Sequence, residues 1–347
     1  MSNRDGRRRR NERRAIVAVV IVAALLGAGL VATIGSLNRD LYSAGSFVGQ
    51  YLGALARKDT ASALLLPGVK PTAAELKAAA LPKDLPDTLL RNSVLGELTD
   101  IRLTADDESA DGRHTVDYEF RLNGTPAAMT FQVESAGTFF GVFDSWRFTT
   151  SPLAVLRVNV LQQATFSVNR LTLDTRAHAA DGAPEMFSNQ AAYLAFAPAL
   201  YSFEHTSTLL DAASQTVPVV ASGVTDVTVD AQPNAQFIGQ VQAELDRFLD
   251  DCTTQQVLQP TNCPFGIEIN DRVRDDPIWS IAQYPPVTLV AGDSTFEMPD
   301  TEGQAHIVVE VQSLFDGDVE VRDEDVAFAV AISVTVNPDG SLALQLR

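Results

Sequence analysis

Cysteine is almost missing from this chain: 347 residues contain two, Cys252 and Cys263. Histidine is nearly as scarce, with His114, His178, His205 and His306 spread along the sequence. Two thiols are too few for a cysteine-rich scaffold or a zinc ribbon. The histidines have no spacing that brings two of them to one site, so neither a nucleophilic triad nor a histidine metal centre is expected. A G-x-S-x-G elbow, a glycine-rich phosphate loop and an H-E-x-x-H helix are also missing. These gaps leave no catalytic residue, no cofactor-binding residue and no metal ligand to name, and the expected function is non-enzymatic.

What is present begins with AIVAVVIVAALLGAGLVATI, residues 15–34, which carries neither charge nor proline. Wound as a helix it reaches roughly 30 Å, the thickness of a bilayer's hydrocarbon core. Ahead of it stands MSNRDGRRRRNERR, with seven arginines against Asp5 and Glu12. Arginines packed against one end of an apolar span stay in the cytoplasm. The run is longer than the apolar core of a secretory signal peptide and lacks a convincing small-x-small cleavage site, which favours an uncleaved anchor. The expectation is a single-pass membrane protein with a cytoplasmic tail (1–14), a transmembrane helix (15–35) and a linker (36–45). The remainder is then extracytoplasmic.

That remainder is acidic. The whole chain carries a net charge of −18, and setting aside the arginine-rich first fourteen residues moves the balance to −23. Such a body repels nucleic acid and anionic headgroups, so no nucleic-acid partner is expected. About 300 residues suffice for two or three domains.

Apolar spacing at Phe47, Val48, Tyr51, Leu52 and Leu55 predicts a helix. Lys58-Asp59-Thr60 interrupts it, and Thr72 with Glu75 has the spacing of a capping box. Strands follow, with an acidic turn expected at Asp106-Asp107-Glu108. Val116, Tyr118, Phe120 and Leu122 alternate, Asn123-Gly124 turns the chain, and Met129, Phe131 and Val133 return. A helix followed by an antiparallel meander is an α+β arrangement. It recurs near the C-terminus, where Phe237, Val241, Leu245 and Leu249 mark a helix begun near Asn234. Strands follow, ending in a hairpin through Phe328, Val330, Ile332, Val334 and Val336, with Leu342, Leu344 and Leu346 returning. Between the two lies a strand-rich stretch around residues 153–223.

The run FVGQYLGALARKDTASALLL and the meander ending in DSWRFTTSPL resemble the cone-shaped nuclear-transport-factor-like (cystatin-like) domains, which in Gram-positive bacteria often sit outside a single membrane anchor. A strand ending at Asn169 and the run FAPALYSF resemble small β modules with a V-x-V-N strand and a later F-P-G-x-Y-x-V, alanine standing where glycine is usual. The resemblance implies a cystatin-like α+β domain (46–152), a small β module (153–223) and a second cystatin-like domain (224–347). This layout is similar to that of actinobacterial single-pass membrane proteins and, more distantly, to the teicoplanin-resistance-associated membrane protein family. That family usually begins with a cytoplasmic zinc ribbon, which this chain lacks, so no cytoplasmic readout carries over.

Cys252 and Cys263 lie close enough in sequence to close a loop outside the membrane, where oxidising conditions favour a structural disulfide. A redox-active pair would more typically be C-x-x-C. The C…P-x-x-C-P-F arrangement also recurs in the proteins the chain resembles, which supports the pairing. Some cone domains are isomerases with a carboxylate base and an aromatic hydroxyl in the cavity. Here alternation sends Tyr118 to the apolar face and Asp117 and Glu119 to the other. The acidic run 315–325 fails the calcium-loop pattern, with Val321 and Ala327 at the positions needing glycine and glutamate, and reads as a charged hairpin turn. The expected function is binding or scaffolding toward an envelope protein or a cell-wall component. The alternatives are a small-molecule or lipid-binding cone and, less favoured, an isomerase-like enzyme.

Overall fold

The computed structural model describes residues 26, 33, 36, 38, 41–139, 141–177, 187–337 and 341–347. The expected cytoplasmic tail lies outside the described residues, as does almost all of the expected spanning segment. Among the described residues no helix is long and apolar enough to cross a membrane. The architecture is α+β, mostly sheet with few helices.

Helix α1 (Ala44–Ala56) starts where the Ser43 side chain accepts from the Ser46 N–H, capping a free donor. Phe47, Val48, Tyr51, Leu52 and Leu55 are all buried, as their spacing requires. Gly49 is needed by a close approach: a Cβ there would stand 2.8 Å from the Tyr118 hydroxyl. Lys58, at φ 57°, stops the helix. Asp59 then caps α2 (Thr60–Leu65), and Thr72 and Glu75 form a complete capping box on α3 (Ala73–Ala78).

The first sheet is a meander of β1 (Leu98–Glu108), β2 (Arg113–Leu122), β3 (Thr125–Phe139) and β4 (Phe143–Phe148), all antiparallel. Asn123 and Gly124 both have positive φ, and Leu122 pairs with Thr125, as a two-residue hairpin demands. The acidic triplet Asp106–Glu108, expected as a turn, instead continues β1. Asp106 accepts from the Gly45 N–H on α1 at 3.0 Å and lies 2.6 Å from His114 Nδ1 on β2, so it has partners on both elements. The reversal falls at residues 109–112, where Gly112 takes φ 77°.

Two sheets make the next unit. One holds β5 (Ala154–Leu161) between β8 (Ser188–Ala195) and β11 (Gly223–Asp230). The other runs, in spatial order, through the short β12 (Gln232–Pro233), β10 (Leu210–Val219), β9 (Ala199–Thr206), β6 (Thr165–Val168) and β7 (Leu171–Asp174). Phe166 to Leu173 form a β6–β7 hairpin turning on Asn169 and Arg170, both at positive φ. Strand β11, read as the opening of the last domain, pairs in parallel with β5 from Gly223↔Ala154 to Asp230↔Leu161. Residues 223–230 therefore belong to this module's sheet.

The first α+β unit and these two sheets share one apolar cluster that runs from Ala44 to Val229. Polar bonds cross the same boundary. The Tyr51 hydroxyl donates to the Ala197 carbonyl at 2.8 Å, Asn169 Nδ2 donates to Val94 O at 2.6 Å, and the Leu194 N–H donates to Pro86 O at 3.0 Å. Burial pushes the Tyr51 and Tyr201 phenols above their ordinary pKa.

A second cluster organises the C-terminal unit. Asn234 caps α4 (Ala235–Thr253), which buries Phe237, Val241, Leu245, Leu249 and Cys252 along one stripe. The stripe packs on a sheet of β13 (Arg272–Val273), β14 (Ile278–Gln283), β15 (Val290–Ala291), β16 (Phe296–Gln312), β17 (Val319–Val336) and β18 (Leu342–Leu346). Gly303 leaves space for the Phe328 ring directly opposite; a Cβ would come within 2.5 Å of it. Cys252 and Cys263 are joined as a disulfide, with Cα atoms 5.9 Å apart.

Candidate functional site

The residues singled out from sequence do not converge. Tyr118 is buried, and its hydroxyl donates to Gly45 O at 3.0 Å. Burial, with Asp106 adding to it, raises its pKa. Asp117 accepts from Thr130 Oγ1, and Glu119 pairs with Arg102 on the outer face. His114 packs edge-on against Trp146, their rings 4.7 Å apart. His205 lies inside the β module, 2.8 Å from Thr165 O through Nδ1, while its Nε2 meets no partner. His306 sits on the C-terminal sheet between Asp325 and Asp323. His178 lies outside the described residues. Among the described residues, no three His, Cys, Asp or Glu side chains are grouped to hold a metal ion.

Aromatic rings pack between α1 and the first sheet: Tyr51 stands edge-on to Phe148 at 5.5 Å and to Phe131 at 6.2 Å. The acidic run 315–325 is a turn followed by the start of β17, as its composition implied.

A cleft of about 580 Å³ opens instead where the β module meets the C-terminal unit. Its walls come from the β5–β6 connection, the start of β8, the β9–β10 turn, the loop ahead of β16 and the end of β17. Each wall is fixed by its own bonds. The Gln162 N–H donates to Phe187 O at 2.6 Å, and Asn189 Nδ2 donates to Gln163 O at 3.1 Å. In the β9–β10 turn Ser207 Oγ donates to Leu210 O at 2.9 Å. Asn234, the cap of α4, donates to Thr208 O at 3.2 Å, tying that turn to the C-terminal helix. Phe187 reaches across from the module to meet Phe296 edge-on at 5.2 Å, and Phe296 meets Phe237 at the same distance.

The cleft's polar groups are hydroxyls and amides. Among the described lining residues Arg176 is the one charged side chain, and there is no carboxylate, although the chain has 44 acidic residues. Among the described residues, the side chains of Gln163, Thr208, Ser294, Thr295 and Thr335 form no hydrogen bond. Uncharged donors and acceptors beside an aromatic floor can orient a polar, uncharged molecule, because each bond exchanges one with water at little desolvation cost.

Sequence reasoning missed this site. Its contributors are separated by up to 175 positions, from Gln162 to Asn337, and hydroxyls and amides form no recognisable motif. The one available signal was compositional: QQAT at 162–165, TST at 206–208 and ST at 294–295 are uncharged polar runs in a strongly acidic chain. No family model, curated protein or solved structure matches this chain.

Proposed function

We propose that this is a single-pass cell-envelope protein, cytoplasmic at its N-terminus, whose extracytoplasmic part is a non-enzymatic binding module for the cell wall. The observation that carries the binding role is the set of hydroxyls, with the Gln163 amide, that have no hydrogen-bond partner among the described residues around the Phe187–Phe296 floor. An uncharged stretch of cell-wall glycan fits that chemistry, offering hydroxyls and amides to the walls and a flat apolar ring face to Phe187. The arginine-flanked apolar run 15–34 supports the anchor, and the disulfide fits an oxidising compartment. The ligand is placed in the cleft because aromatic rings already pack between α1 and the first sheet.

Co-sedimentation of the detergent-solubilised full chain with insoluble cell-wall polymer tests this reading. The wild type is expected to pellet with the polymer. Thr208→Lys, on an exposed turn at the cleft, is expected to pellet about tenfold less, since it buries a charge where none is matched. A wild-type protein left in the supernatant, or a variant that pellets equally, overturns it.

A further inference from the structure

The C-terminal sheet ends in an uncovered edge. Strand β17 pairs with β16 on one side from Val319↔Gln312 to Val334↔Phe296. On its other side, β18 reaches only from Ile332 to Val336. Among the described residues, the backbone of 319–329 thus has a partner strand on one edge alone. A bare strand edge presents N–H and C=O groups in the spacing that another strand matches.

The side chains along this edge define what can bind it. By alternation, Val319, Val321, Asp323 and Asp325 share one face, and Glu320, Arg322 and Glu324 share the other. Val319 and Val321 are 50% and 61% exposed, and Phe315 in the adjoining turn is 98% exposed. The one cation, Arg322, stands 3.6 Å from Glu320 and 3.5 Å from Glu324. His306, on the neighbouring strand, faces Asp325 and Asp323. The edge thus couples an apolar step to four carboxylates. A second copy of the chain pairing here would set carboxylates against carboxylates, which is unfavourable across strands. A polyanion meets the same repulsion.

We infer that the free edge of β17 accepts an extended basic segment of a partner protein as an added antiparallel strand. Main-chain hydrogen bonds hold the segment, and the side chains select it. Apolar residues stand opposite Val319 and Val321. Lysine or arginine stands opposite Glu320, Asp323, Glu324 and Asp325. The carboxylates act in both directions, drawing cationic strands and turning away the chain's own copies. Residues 319–329 are not part of the cleft, so this inference does not rest on the glycan reading.

A blocked heptapeptide, Lys-Lys-Lys-Thr-Val-Lys-Val, carries the matching pattern when laid antiparallel from residue 325 to residue 319. Amide exchange of the full chain in detergent, measured with and without this peptide, tests the inference. Exchange in 319–325 is expected to slow about tenfold when the peptide is bound to saturation. The same peptide N-methylated at alternate amides keeps its charge but loses strand pairing, and is expected to leave exchange unchanged. No slowing with the first peptide, or equal slowing with both, overturns the inference. Glu320→Lys/Glu324→Lys is expected to weaken the peptide about tenfold, the scale of two reversed cross-strand charge pairs. Thr208→Lys in the cleft should leave it unaffected. Unaltered affinity in the charge-reversed chain also overturns the inference.

Discussion

Glu75 shows how far one side chain can reach. Its Oε2 accepts from the Thr72 N–H at 2.7 Å and from the Thr72 hydroxyl at 2.8 Å, and its Oε1 accepts from the Ser151 N–H at 2.9 Å. Partial burial works against ionisation, but the bonds from Ser151 and Thr72 together outweigh it and hold the carboxyl below its ordinary pKa. A carboxyl depressed in the folded state stabilises that state above its unfolded pKa. The contribution fades as pH falls through the folded value. Glu75→Gln should therefore lower Tm at neutral pH and reduce the loss of Tm on acidification below about pH 4.5. Thermal melts of both chains from pH 7 to pH 3 check this, and parallel curves would count against it. The capping box itself was legible, because Thr72 and Glu75 are three residues apart. The Ser151 bond was not, because only the closed fold brings residue 151 to that helix.

The same division holds for whole elements. Helices α1 and α4 and the Asn123-Gly124 hairpin could be placed from sequence because their signals are local: a cap, a period of apolar residues, a pair of turn residues. The parallel pairing of β11 with β5 has no such signal, since nothing near Gly223 encodes its register against Ala154. The cleft was illegible for the same reason, being assembled from turns and strand ends that no periodicity links. At the end of α4 the disulfide extends the helix's buried stripe: Cys252 follows Leu249 on the core face and ties the loop to residue 263. Within that loop Val257 O accepts from Trp279 Nε1 at 2.8 Å, and just beyond it Phe265 packs 5.0 Å from the same indole. Cys252→Ser/Cys263→Ser should cost about 3 kcal/mol of stability, the scale expected for closing a loop of this size. Denaturant unfolding followed by tryptophan fluorescence measures that cost, and an unchanged midpoint would remove the structural role.

For the molecule as a whole, the proposed membrane orientation rests on the arginines ahead of residue 15 and the acidic body behind residue 34. A reporter that matures only in an oxidising compartment, fused after Arg347, should be active in cells, and a cytosolic reporter at the same place should be dark. The opposite pattern would reverse the topology. The apolar cluster that joins Ala44 to Val229 has a further consequence in time. Synthesis runs from the N-terminus, so helix α1 and its meander leave the ribosome while the strands that complete their interior are still unmade. Until β11 adds Val227 and Val229 that shared cluster is incomplete, and this is when a chaperone would have most to protect.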